Sequence, residues 1–435
     1  MISASARLRA MCATLRSGAI EDTEAPAVAF DALLGNYSQN NLGRPQRAGV
    51  GEGEMTTRAI WLILFVLIDL FVCGDRRAIS AEADRSLAAR TSALIEAFMN
   101  QPASPDAPLI PAMSVSVGRD GTLLYADGFG RANVRRAATA RTTYMVGSLT
   151  KQFTAAAILR MIDNGAIIKA SGKPLQIATP VDDILDVANG WKLEGGPPMT
   201  VAHLLSMTSN LPNYTRRPPH ELDPWGAVPA RRLLTGLKEY RPSGYPGSFE
   251  YSNTSYFLLS EIMEDAEVAG ASRSYHEILR QEVFERLGLS DTGFRDDPGI
   301  SEGIAAPNYR RQPRFFQPDW LKGSGDVASS VVDIFKWDKA LMEGDALSEK
   351  MRDVMLSDAA RVDVWTYYGA GWFITHKGGV DRYFHSGTVS GYTSYNLIVR
   401  PSGRHWISVS LLTNTDGVED IDALADQIAD VVLAQ

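Results

Sequence analysis

Cysteine is nearly absent from this chain. Only two of its 435 residues are cysteine, Cys12 and Cys73, and both precede the region whose apolar density suits a folded body. If that upstream region is removed, no thiol remains. A disulfide framework, a thiolate metal site and a cysteine nucleophile are then excluded. Histidine is scarce as well, with six residues spread widely and no H-E-x-x-H among them, so neither a metal nor any other cofactor is expected. The formal net charge is -8, which leaves no basic footprint for nucleic acid. G-x-S-x-G is missing, which argues against a Ser-His-Asp α/β-hydrolase. Gly128-Phe-Gly130 and Gly323-Ser-Gly325 lack the full G-x-G-x-x-G pattern of dinucleotide binding. No internal repeat is found.

What is present is ordinary for a globular protein, 45% hydrophobic and 22% charged residues. Residues 1–54 have neither period nor core-forming density and read as a non-native or disordered extension. Met55-Thr-Thr-Arg58 then leads into an apolar run from Ala59 to Val72. A positive start, a run of this length and small residues after it predict a secretory signal peptide over 55–83. Cleavage is expected after Ala78-Ile79-Ser80 or Ala81-Glu82-Ala83, with translation starting at Met55. The run is short for a membrane span and Asp69 interrupts it, so an anchor over 59–73 is the lesser alternative. The expected location is the periplasm or the medium, and residues 84–435 form the expected functional domain.

Within that domain, Ser86 to Met99 reads as an amphipathic helix. Met113 to Val117 alternates with period two, and Asp120-Gly121 supplies a hairpin turn before Leu123 to Ala126. A helix is predicted from Ser148 to about Asn164, with Phe153, Ala157 and Met161 on one stripe and Gly165 at its end. Helices dominate to about residue 357: Val201–Met207, Ser255–Asp265, Tyr275–Leu287 and Val331–Glu343. Strands return at Gly371–Ile374, Tyr383–Phe384, Tyr395–Val399 and Trp406–Leu411, and a helix from Glu419 to Val432 closes the chain. Strands at both ends with helices between predict an α+β fold, an antiparallel sheet flanked by helices with a helical insertion at about 150–360.

Three short patterns carry the chemistry: Ser148-Leu-Thr-Lys151, Tyr251-Ser-Asn253 and His385-Ser-Gly387. Residues i and i+3 share a helix face, so Lys151 can reach the Ser148 hydroxyl. A helix N-terminus favours negative charge developing on that oxygen. A serine hydroxyl needs a base to become a nucleophile, and a buried lysine with a depressed pKa can serve. Taken singly, the pair also fits a helix-capping serine beside a solvated lysine, and Tyr251 fits a buried phenol with a satisfied hydroxyl. His376-Lys-Gly378 and Lys377-Gly-Gly379 share the loose third pattern, but they suit a turn between strands. His385 is left as the candidate.

Together these stretches resemble the serine β-lactamase and penicillin-binding-protein superfamily, on its class C, DD-peptidase and esterase branch. Further segments match in order: Tyr144 to Lys151, Leu204 to Leu211, Pro246 to Asn253, Gly323 to Ser329 and Gly369 to Trp372. The resemblance implies a β-lactamase/transpeptidase-like fold. It also implies Ser148 as the acylated nucleophile, Lys151 and Tyr251 as proton-transfer partners, and Asn253 as a substrate-orienting group. His385 then stands where a lysine is usual, as an anchor for a substrate carboxylate. The oxyanion hole falls to the N–H groups of Ser148 and Thr388, with Gly387 allowing close approach. Met207 and Asn210 depart from a usual histidine and glycine; Asn210 tolerates a left-handed turn and Met207 suits packing. The expected partner is a small-molecule or peptidoglycan-derived amide or ester, in a cleft walled by Tyr214, Trp225, Tyr245, Phe315, Phe316 and Trp320. A short-chain carboxylesterase and a non-catalytic sensing module are the alternatives.

Overall fold

The computed structural model describes residues 85–100, 110–191, 193–223, 226, 228–308, 318–401 and 405–434. The expected extension and signal peptide, and Trp225, Phe315 and Phe316, lie outside the described residues. Among the described residues no helix is long and apolar enough to cross a membrane.

The described residues form fourteen strands: β1 Ala112–Arg119, β2 Thr122–Asn133, β3 Arg136–Ala137, β4 Tyr144–Met145, β5 Ile167–Ile168, β6 Ala266–Glu267, β7 Gly293–Phe294, β8 Val327–Ser329, β9 Ala360–Arg361, β10 Thr366–Tyr368, β11 Phe373–Lys377, β12 Val380–Val389, β13 Tyr392–Pro401 and β14 Ile407–Thr413. Nine of them make one sheet in the order β3-β2-β1-β14-β13-β12-β11-β10-β9, antiparallel throughout. The early and late strand groups therefore share a sheet, joined where Met113 faces Thr413 and Arg119 faces Ile407. Asp120 and Gly121 both take positive φ, 49° and 74°, the conformation that a two-residue hairpin turn demands.

Alternation along β1 sends side chains to two helical layers. Met113, Val115 and Val117 pack with Val409 and Leu411 against α1 (85–100) and α6 (Ile421–Leu433), where Leu87, Ile95, Leu424 and Ile428 face them. Each such side chain contributes about 1.5–3 kcal/mol when fully buried. The opposite face carries the larger core, which includes α2 (Thr150–Asp163), α4 (Asn253–Glu264) and α5 (Val331–Glu343). Helix α3 (Val201–Leu205) belongs to the same helical region. Ser330 caps α5 by accepting from the Asp333 N–H, and Gly344 ends it at φ 96°.

Three expectations change. Every side chain from Thr150 to Leu159 is buried, so α2 is wrapped on all sides and has no single apolar stripe. The helix expected over Tyr275–Leu287 is α-helical only to Leu279 and continues as a π-turn, Arg280–Phe284. The strand expected over Tyr383–Phe384 is longer at both ends, with β12 running from Val380 to Val389. Two small sheets inside the helical region, β4-β8-β7 and β5-β6, had no signal in the sequence, being two or three residues per strand.

Candidate active site

Ser148 is the middle residue of a 3-10 turn, Gly147–Leu149, that runs directly into α2. Gly147 takes φ 52°, so the chain can turn sharply out of β4. At the start of a helical turn the backbone N–H has no intrahelical acceptor and points outward. Pairing of β4 with β8 brings this turn beside the Gly323–Asp326 segment that precedes β8.

The three reactive groups meet there. Lys151 Nζ lies 2.9 Å from Ser148 Oγ, and the Tyr251 hydroxyl lies 2.8 Å from the same oxygen. Lys151 is fully buried and also donates to the Ser324 carbonyl at 2.7 Å. Burial holds its ammonium well below the ordinary lysine range, with the Asp326 carboxylate pulling the other way. The amine stands 5.1 Å from the Tyr251 ring centroid. Burial pushes the Tyr251 phenol up, opposed by its bond to Ser148 and by the Arg216 charge. The two shifts have one cause and complementary results. Desolvation penalises whichever form is charged, so it loosens the proton on the amine and tightens the proton on the phenol.

The other side of the site is β12. Strand β11 pairs only with Val380–Phe384, whereas β13 pairs along β12 as far as Val389. Residues beyond Phe384 thus have no β11 neighbour, and the Ser148 turn approaches this open length. A Cβ built on Gly387 would stand 3.0 Å from the Ser148 nitrogen, and one on Gly147 would stand 3.0 Å from the Thr388 nitrogen. Only glycine at both positions permits such an approach. Ser394 Oγ donates to the Val146 carbonyl at 2.7 Å and ties the turn to β13.

His385 is brought to the cleft but not as a cation. It is 1% exposed, and burial together with the Lys151 charge holds its imidazolium down to about 3. Its Nδ1 lies 2.6 Å from the Ser386 carbonyl, an acceptor only, so Nδ1 carries the proton; Nε2 then faces the Tyr368 hydroxyl at 3.4 Å. In that form the imidazole offers a carboxylate no positive charge. His376 bonds to Asp381 and Asp358 at an exposed hairpin whose turn is Gly378-Gly379, as the strand-turn reading requires.

Asn253 Nδ2 donates to Thr215 Oγ1 at 2.8 Å, and its Oδ1 is buried with no partner among the described residues. Two residues of the expected aromatic wall belong to the core instead. Tyr214 and Trp320 are fully buried core residues, with the Tyr214 hydroxyl donating to the Trp320 carbonyl. Tyr245 is half-exposed and donates to the Glu194 carbonyl. The rings that do flank Tyr251 are Phe373, stacked at 6.4 Å, Tyr368 at 6.5 Å and His385 at 6.0 Å. Sequence reasoning missed Phe373, Tyr368, Ser324 and Thr215. Ser324 at least stood inside a segment already singled out.

A family model described as Beta-lactamase matches residues 92–433. The chain belongs to the beta-lactamase family. Penicillin-binding protein 4* of Bacillus subtilis (strain 168) is 26% identical over 310 residues, 65% of this chain and 64% of that protein. D-aminopeptidase of Gluconobacter oxydans (strain 621H) is 26% identical over 309 residues, 66% of this chain and 53% of that protein. The chain thus spans less than two thirds of the length of either relative. The octameric penicillin-binding protein homologue from Pyrococcus abyssi superposes with a TM-score of 0.64 at 27% identity, covering 80% of this chain and 77% of that one. D-amino acid amidase from Ochrobactrum anthropi SV3 with D-phenylalanine gives 0.61 at 19% identity, over 79% and 99%, and supports the fold alone.

Within this beta-lactamase-family fold the two departures of the Leu204–Leu211 segment are accommodated. Met207 and Asn210 both take left-handed φ, 58° and 55°. Asn210 is a residue that tolerates that region, as expected. Met207 does more than pack, because its sulfur accepts the Ser252 N–H at 3.4 Å, between Tyr251 and Asn253.

Proposed function

We propose that this protein is a serine hydrolase that opens an amide or ester through an acyl-enzyme on Ser148. The observation carrying this reading is the contact of one serine oxygen with both a buried lysine and a tyrosine, at 2.9 and 2.8 Å. Neutral Lys151 takes the hydroxyl proton while Ser148 Oγ forms a bond to the substrate carbonyl carbon. The carbonyl oxygen becomes an oxyanion facing the N–H groups of Ser148 and Thr388. As the C–N or C–O bond breaks, Tyr251 gives its proton to the leaving group and recovers one from Lys151. Water then attacks the acyl ester by the same route in reverse. Asn253 Oδ1 supplies a fixed acceptor for a substrate N–H, and the D-aminopeptidase relative supports an amide next to a D-residue as the substrate class. Export through residues 55–83 belongs to the same proposal, supported by the sequence pattern there.

The test is intact-protein mass spectrometry after fluorophosphonate or penicillin treatment, followed by a panel of p-nitrophenyl esters, nitrocefin and D-Ala-D-Ala peptides. Wild type should gain one adduct and Ser148→Ala none. Tyr251→Phe should slow acylation by about 10²–10⁴, the range for a general acid–base group. Equal adducts in wild type and Ser148→Ala would place the nucleophile elsewhere. No adduct in either would favour a non-catalytic sensing module.

A further inference from the structure

The turn that carries Arg216 is bonded to the Asn253 side of the site, and the mechanism above gives this arginine no role. Arg216 sits in a turn that is internally braced. Asn213 Oδ1 accepts from the Thr215 N–H at 3.1 Å and from the Thr215 hydroxyl at 2.9 Å, and the Asn213 carbonyl accepts from the N–H groups of Arg216 and Arg217. The turn is bonded to the site itself, since Thr215 Oγ1 receives Asn253 Nδ2. Arg216 is exposed. Its guanidinium makes no ion pair or hydrogen bond to any described residue, and its charge is felt at the Tyr251 phenol.

We propose that Arg216 is the specificity determinant of this site, pairing with a carboxylate of the substrate from the Asn253 side of the cleft. The inference rests on the acyl-enzyme reading. A guanidinium offers two parallel N–H donors that match a carboxylate, and a braced turn loses little freedom when it binds. Because the group is exposed, its attraction is screened by salt, with a Debye length of about 8–10 Å near physiological ionic strength.

The experiment uses two pairs of aryl esters, each pair differing only by a carboxylate against a carboxamide, in the acyl part of one pair and in the leaving phenol of the other. Wild type should prefer the carboxylate in at least one pair. Arg216→Ala should reduce that preference by about 10- to 100-fold, mainly through KM, as expected for a lost charge-assisted pair. Arg216→Lys should restore part of it, Arg216→Glu should invert it, and 0.5 M salt should weaken it in wild type. Arg217→Ala, the neighbouring exposed arginine, should leave it intact. The inference is overturned if wild type shows no preference in either pair, or if Arg216→Ala retains it. Fluorophosphonate labelling of Ser148 separates the two failures. Labelling with an unchanged preference removes only the role of Arg216, and absence of labelling removes the acyl-enzyme reading and the inference with it.

Discussion

Replacing Gly387 by alanine adds one methyl group where the nucleophile turn meets β12. The φ of Gly387 lies outside the left-handed region, so the backbone admits alanine and the consequence is purely one of space. The new Cβ would stand 2.1 Å from the Val146 carbonyl oxygen, 2.4 Å from Ser394 Oγ and 3.0 Å from the Ser148 nitrogen. Ordinary contact begins at 3.4 Å, so the shortfall against Val146 is 3.4 − 2.1, or about 1.3 Å. That oxygen is main chain, two residues before the nucleophile, and cannot swing away as a side-chain tip would. The turn and β12 must therefore separate, and Ser394 loses its hold on Val146. A misplacement of about 1 Å can cost about 10²-fold, and loss of one oxyanion donor costs about 10²–10³ in kcat, or about 2.7–4 kcal/mol. Overpacking should lower stability by about 1–3 kcal/mol. The assay is kcat on a p-nitrophenyl ester together with the fluorophosphonate acylation rate, with thermal unfolding to confirm a folded variant. Gly299→Ala is the control, because nothing lies within 4 Å of its added Cβ. A folded Gly387→Ala enzyme within about threefold of wild-type kcat/KM would refute the oxyanion arrangement.

Lys151→Met should abolish turnover yet raise stability near neutral pH, because it removes a buried amine whose proton is held more weakly in the folded than in the unfolded chain and keeps the volume. Lys151 binds its proton more weakly folded than at its ordinary 10.5, so the unfolded chain holds more protons, and wild-type stability should rise with pH up to that value. Urea unfolding at several pH values should show this slope in wild type and a flatter one in Lys151→Met. The same depression puts deprotonation of Lys151 on the acid limb of kcat/KM, which should fall as pH drops. His385, held down to about 3 from 6.5, should not titrate by NMR between about pH 5 and 8. Its contribution to stability, complete above 6.5, should be lost as pH falls toward 3, and His385→Gln should lack that loss.

The sheet was legible because its strands announce themselves by period two and by Asp120-Gly121, and because both strand groups need a shared face to bury. Helix α5 was read to its ends since Gly344 stops it and an apolar stripe starts at Val331. What escaped has a common physical form. The strands β4, β7 and β8 are too short to carry a period, although β4 and β8 bring Ser148 to Ser324. The protonation of His385 depends on burial, which a motif does not contain. Tyr214 and Trp320 escaped for the same reason: loop position suggested a cleft wall, but only packing decides which aromatic rings of a loop face inward. Ser148, Lys151 and Tyr251 were legible because their spacing and order are themselves the signal.

Burial is also what turns those three residues into a directed pair. In water a lysine is the proton holder and a tyrosine also keeps its proton, so neither takes one from serine at neutral pH. Enclosing both disfavours the ammonium and the phenolate alike, so the lysine holds its proton less firmly and the tyrosine holds its own more firmly. On the acyl-enzyme reading, these opposite shifts suit Lys151 to act as base and Tyr251 as acid. Asp326 then limits the effect, since its negative charge returns proton affinity to Lys151. The sheet completes the arrangement from the other side. Because β12 outruns β11 by the length from His385 to Val389, backbone there has no strand on its β11 side and is open to the Ser148 turn. A β11 extended to cover that length would occupy the approach that Gly147 and Gly387 keep open, and the nucleophile would then face no second oxyanion donor.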